Sequence, residues 1–183
     1  MEILQEGINK PLGVAVNING NVYVANGGAS DVTVYNIEGK LVGKLMQDVS
    51  GFRFVALGAL AIHGSDLFIG LGSGENTVVS YHLDDFVSGS PKPITTIASK
   101  LNAGPTGIAF DRAGNVYVSD LYSGNASKYS PTGGESLLVI NEGTGFCEGI
   151  AVDGIGNLFV ANGDPLNKIT VYSPEGKLIR TLQ

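Results

Sequence analysis

The sequence predicts an all-β protein: a β-propeller of four four-stranded antiparallel blades, closing as a small ring or forming a partial arc of a larger propeller. Three observations lead there. One phrase occurs four times, as PLGVAVNINGNVYVAN from residue 11, LGALAIHGSDLFIGL from 57, PTGIAFDRAGNVYVSD from 105 and CEGIAVDGIGNLFVAN from 147. Equivalent positions Gly13, Ala59, Gly107 and Gly149 stand 46, 48 and 42 residues apart, a period suited to propeller blades. Within each period the chain alternates short β-favouring runs with turn residues and shows no sustained helical spacing.

The fourth repeat shows the elements in order. Gly149–Val152 is a small-residue apolar run suited to a crowded innermost strand, and Asp153–Asn157 is a turn in which Asp accepts amide hydrogen bonds and Gly supplies positive φ. Leu158–Ala161 is the second strand. Lys168–Tyr172 alternates polar and apolar residues as a half-exposed third strand, and Lys177–Leu182 is the outer strand after the Ser173–Gly176 turn. The other copies follow the same plan. Their third strands are expected at Val32–Tyr35, Thr77–Tyr81 and Ala126–Tyr129, and their outer strands at Lys40–Leu45, Pro93–Ala98 and Glu135–Ile140. The blades are therefore placed at roughly 10–46, 54–99, 104–141 and 145–183 of one domain spanning 1–183. Ile3–Gln5 reads as the end of a further outer strand, one more than four blades need. The segment Asp84–Asn102, carrying Pro91 and Pro93, reads as an irregular excursion, and helix is expected to be minimal.

Bulk properties narrow the function. The 183 residues include 27 Gly but only 15% charged residues, which is a compact, turn-rich composition. A net charge of −6 argues against nucleic acid or anionic membrane as a partner, since phosphate binding relies on clustered Lys and Arg. No apolar run is long enough to insert in a membrane as a helix, and MEILQEGINK has no apolar signal core. The compartment is left open, with an extracytoplasmic one among the options if the chain is a fragment. The single cysteine, Cys147, allows no internal disulfide and reads as a small buried apolar residue beside the innermost strand. His63, at a strand-end turn, and His82, in a third strand, both fall in the second repeat, away from it.

Polar residues recur at strand ends. Asn26, Leu71, Asp120 and Asn162 close the second strands, and Asp31, Asn76, Asn125 and Asn167 follow five residues later. Constancy in all copies favours Asx side chains bracing loop backbone over ligand contacts. Asp111 and Asp153 read as turn residues of the same kind.

Residues 105–120, 149–162 and 169–180 resemble NHL repeats, and the likeness extends over almost the whole chain. The resemblance implies a propeller and leaves activity open, because propellers host enzymes and scaffolds alike. Gluconolactonase-like metal enzymes belong to the same superfamily. Their oxygen-donor cage would fall here on Leu12, Gly58, Thr106 and Glu148, which is too few donors, so no metal ligand set is assigned. Antibiotic-inactivating lyases on similar blades need a His-and-acid constellation not found here. NHL-type RNA binding needs a basic rim, whereas this rim carries Asp31, Glu75, Asp120, Glu148 and Asp164 against Lys10 and Lys168.

The expected function is a non-enzymatic binding or interaction module, with the Gly-rich loops after the second strands presenting a polar rim to a protein partner or small ligand. Its rim residues are Asn26, Thr106, Asp120, Tyr122, Glu148 and Asn162; no catalytic residue is assigned. Leu121-Tyr122 is the one apolar–aromatic pair on these loops, read either as a loop plug or as a ligand anchor. The alternative is a cation-dependent hydrolase, lactonase or lyase using Glu148 and Asp120, and only there is a divalent cation implied as cofactor. Self-association through open blade edges is the further partner expectation.

Overall fold

Each repeat folds into one antiparallel meander. The computed structural model describes residues 6–46, 59–72, 76–89, 91–99, 101 and 104–183. Blade 1 comprises β1 (Pro11–Val16), β2 (Val22–Asn26), β3 (Asp31–Tyr35) and β4 (Leu41–Met46). Blade 2 comprises β5 (Leu60–His63), β6 (Asp66–Leu71), β7 (Thr77–His82) and β8 (Pro93–Ala98). Blade 3 comprises β9 (Pro105–Phe110), β10 (Val116–Asp120), β11 (Asn125–Tyr129) and β12 (Leu138–Ile140). Blade 4 comprises β13 (Cys147–Val152), β14 (Leu158–Asn162), β15 (Lys168–Tyr172) and β16 (Leu178–Leu182). In every sheet the strands lie side by side in chain order, the connectivity of a propeller blade.

The turns between first and second strands form for the reason the sequence indicates. Asp153 Oδ1 accepts hydrogen bonds from the Ile155 and Asn157 amides at 3.0 and 2.8 Å. Asp111 does the same for Ala113 and Asn115 at 3.0 and 2.9 Å, and Asn17 takes that role in blade 1. These side chains are turn locks.

The core lies between blades. Strand alternation sends one set of side chains to the preceding blade and the other to the following one. Tyr23, Val32 and Val34 of blade 1 pack with Leu67, Ile69 and Tyr81 of blade 2. Phe68, Val78 and Ile97 of blade 2 meet Val116, Val118 and Tyr129 of blade 3. Tyr117, Ala126 and Ile140 of blade 3 meet Leu158, Val160 and Tyr172 of blade 4. Each large side chain buried this way contributes about 1.5–3 kcal/mol, so the blade interfaces carry most of the apolar stabilisation.

Two local expectations differ from the structure. The excursion near residue 84 opens with a short helix, α1 (Leu83–Ser88), with Asp84 and Asp85 in its first turn and Gly89 closing it. Leu83 and Phe86 are buried in the blade 1–blade 2 core, so tertiary burial selects a helix too short to show a period. The outer strand of blade 3 covers Leu138–Ile140, not Glu135–Ile140, because Ser130–Gly133 turns the chain and Glu135–Leu137 stay exposed. The expected strand end at Ile3–Gln5 lies outside the described residues.

The two end blades keep one face open. Val14 and Val16 of β1 are 63% and 57% exposed, and Ile169 and Leu182 of blade 4 are 39% and 37% exposed. A closed four-blade ring would bury these residues against each other; the four blades form an arc. Among the described residues no helix is long and apolar enough to cross a membrane.

Candidate functional site on the loop face

The loop following β10 and the segment preceding β13 come together on the rim between blades 3 and 4. A short loop, Leu121–Gly124, carries Tyr122, and Phe146 immediately precedes β13. Their backbones approach closely because Gly124, at φ +66°, has no Cβ; one built there would stand 2.6 Å from Gly145 O. The Gly145 amide donates to Asn162 Oδ1 at 2.9 Å, and the Gly163 amide donates to Phe146 O at 2.8 Å. These bonds hold Phe146 in place. Its ring meets that of Tyr122 edge to face, centroids 6.0 Å apart.

The two rings border a cleft of about 280 Å³, lined also by Ser123, Asn141, Thr144 and Pro165. Pro165 follows a cis Asp164–Pro165 bond. The lining holds no Asp, Glu, His, Lys or Arg. Tyr122 is 68% exposed and Phe146 42% exposed, so both present apolar surface to solvent at the cleft. The reading of Tyr122 as a buried loop plug is therefore corrected: its ring touches that of Phe146 but stays mostly open to solvent.

The other rim residues occupy different environments. Asn162 is buried, with its amide nitrogen donating to Val160 O at 3.0 Å and Thr170 Oγ1 at 2.9 Å. Asn26 is buried too, and donates to Asp31 Oδ1 at 2.8 Å and Thr33 Oγ1 at 3.0 Å. Both side chains brace their own blades. Asn167 is not Asn162's partner, since it donates to Asp164 Oδ1 instead. Asp120 is buried at the end of β10. Thr106 shares a 3.0 Å hydrogen bond with Ser119 Oγ and donates to Cys147 O, tying blade 3 to blade 4. Glu148 is exposed, its carboxylate lying against Gly163, where a Cβ would stand 2.3 Å from Oε1. Gly58 and Glu75 lie outside the described residues.

Electrostatics add two points. Burial, with the nearby negative charge of Asp120 adding to it and a Gly145 backbone hydrogen bond opposing, pushes the Cys147 thiol up to about 11, far from nucleophilic at neutral pH. Among the described residues no three His, Cys, Asp or Glu side chains stand together as a metal site would require. His82 Nδ1 pairs with Asp66 Oδ1 at 2.6 Å on the surface of blade 2, while His63 stacks on Phe110.

Phe146 was not among the rim residues expected from sequence. A signal for it exists in the repeat: the position holds Lys10 in blade 1 and Gly104 in blade 3, so an aromatic there is specific to one copy.

Comparison with known proteins bears on the architecture. This is a β-propeller fold. The chain resembles a chain of a nidogen/laminin complex with a TM-score of 0.76 and 15% identity, covering 100% of this chain and 67% of that one. A virginiamycin B lyase from Staphylococcus aureus aligns with a TM-score of 0.71 and 15% identity, over 92% of this chain and 54% of that one. A gluconolactonase from Xanthomonas campestris aligns with a TM-score of 0.74 and 17% identity, over 99% of this chain and 64% of that one. The four blades thus span roughly half to two thirds of these structures. No protein-family model and no curated protein sequence matches the chain. At such identities the likeness concerns the fold.

Proposed function

We propose that this chain is a binding module of NHL-like type whose loop face, at the Tyr122–Phe146 cleft, receives a small uncharged ligand or a side chain of a protein partner. The observation that carries the reading is the solvent-open pair of aromatic rings beside hydroxyl and amide groups, in a cleft lined by no Asp, Glu, His, Lys or Arg. Ring faces suit a flat apolar surface, and Ser123, Asn141 and Thr144 suit neutral hydrogen-bonding groups. A nidogen/laminin complex shares the fold, which supports protein partners as one ligand class. Screening neutral cyclic polyols and small aromatic amides by amide chemical shifts tests the reading. Shifts are expected at Ser123, Thr144 and Phe146 and are lost in Tyr122→Ala; binding that survives this change overturns the proposal.

A lyase and a gluconolactonase share the fold, which supports the rival reading of a cation-dependent enzyme using Glu148 and Asp120. Here the burial of Asp120 against the exposure of Glu148 speaks for binding. A rise in Tm on adding millimolar calcium, manganese or zinc would favour the enzyme, and an unchanged Tm would remove it.

A further inference from the structure

The two open faces of the arc are matching halves of an interface this chain already builds three times. Blade 1 faces outward with Val14 and Val16, the counterparts of Ile108 and Phe110 in β9 and of Ile150 and Val152 in β13. Those counterparts pack on the preceding blade, whereas Val14 and Val16 are 63% and 57% exposed. On blade 4 the outward positions are Ala151, Phe159, Ala161, Ile169 and Leu182. Their cross-strand pairings, Phe159 with Ala151 and Ile169 with Leu182, repeat those of Tyr117 with Ala109 and Ala126 with Ile140 in blade 3. In blade 3 the set is buried: Tyr117, Ser119, Ala126 and Ile140 are no more than 4% exposed. In blade 4 Ala151, Ala161, Ile169 and Leu182 are exposed and Phe159 is half-buried.

Charge follows the same register. The Gly27 amide donates to Lys10 O as the Gly163 amide donates to Phe146 O, so Lys10 occupies on blade 1 the place Phe146 holds on blade 4. Within the chain, Phe146 meets Tyr122 of the preceding blade. The blade 4 counterpart of Tyr122 is Asp164, two residues after the strand-ending Asn162 as Tyr122 is two after Asp120. Where blade 1 docks on blade 4 in this register, the aromatic pair is replaced by a lysine opposite an aspartate.

We propose that a second copy of this chain docks head to tail on the first, its blade 1 face covering the blade 4 face, with Val14 and Val16 against Phe159, Ala161 and Ile169, and Lys10 against Asp164. The contact is heterologous, so each junction leaves one face of each kind free for a further copy.

Sedimentation equilibrium of the 183-residue chain tests this. Its mass is expected to rise above 18.9 kDa with concentration. Val14→Asp, at an exposed site that leaves folding intact, is expected to weaken association at least about tenfold. Lys10→Glu and Asp164→Lys are each expected to weaken it about three- to tenfold, and the double variant to recover most of the loss. An equimolar mixture of the two single charge variants should associate more tightly than either alone, because every junction between unlike copies then sets opposite charges against each other. A mass that stays at 18.9 kDa at every concentration overturns the proposal, as it would if the faces accept only blades of a different chain. Association indifferent to Val14→Asp, or a double variant no better than the singles, also overturns it.

Discussion

The side-chain oxygen of Asn162 lies 2.9 Å from the Gly145 amide that donates to it, and Asn26 receives the Asn9 amide in the same way at 3.0 Å. In both blades the strap of chain leading into the innermost strand is pinned to the end of the second strand. A tyrosine completes the clamp: Tyr172 donates its hydroxyl to Glu142 O at 2.6 Å, and Tyr35 donates to Glu6 O. Asn162→Ala leaves the Gly145 amide and Thr170 hydroxyl without this partner. It is expected to lower stability by about 1–3 kcal/mol in urea unfolding. A midpoint equal to that of the unaltered protein would show the brace to be dispensable.

Gly124 sets how closely the blade 3 loop meets the strap of blade 4. Its φ is +66°, and an added Cβ would stand 2.6 Å from a backbone oxygen that cannot swing away. Gly124→Ala is expected to cost about 1–3 kcal/mol and to push Tyr122 from Phe146. Thermal unfolding, together with the Tyr122 and Phe146 ring-proton contacts by NMR, reads both effects.

Acid should weaken the blade 3 turn in a predictable direction. Burial alone would raise the Asp111 carboxyl. Hydrogen bonds from the Asn115 side chain, from Lys128 and from the Asn115 amide outweigh it and hold the group below its ordinary 3.8. A carboxyl depressed on folding stabilises the fold above its unfolded value, and that stability is lost as pH falls through the lower folded value. Lys128 Nζ stands 3.1 Å from Asp111 Oδ2. Lys128→Met is therefore expected to move the acid-induced loss to higher pH, followed by circular dichroism below pH 4 or so. A superimposable acid profile would exclude the lysine as a cause.

Cys147 offers a probe of blade 3–blade 4 closure. The thiol is fully buried and pushed up to about 11. At pH 8 only about a thousandth of it is thiolate, even before access is considered. Labelling by a thiol-reactive disulfide is expected to be at least about a hundredfold slower than for a free peptide thiol, and complete in denaturant. Rapid labelling of the folded chain would mean that the blades part readily.

Much of the fold was legible because its signals are local. The Asp-x-x-x-Asn turns at Asp111 and Asp153 and the bracing role of Asn26 and Asn162 follow from side chains bonding backbone a few residues away. The helix Leu83–Ser88 was not legible, since six residues carry no period and their reason for coiling is the burial of Phe86 between two blades. Of the rim residues expected to contact a ligand, Tyr122 opens on the cleft, while Asn26, Asp120 and Asn162 turn inward. Which way a polar side chain faces at a strand end depends on what the neighbouring strap offers it.

By itself, the sequence determined that there are four blades, where most of their strands run and which residues lock the turns, because each of these is settled within one period of the repeat. Only the tertiary structure decided that Tyr122 and Phe146 meet and that the arc stays open at both ends. Those outcomes arise from packing between successive blades, where side chains far apart in the chain compete for the same buried surface. No local pattern records which of them will be covered.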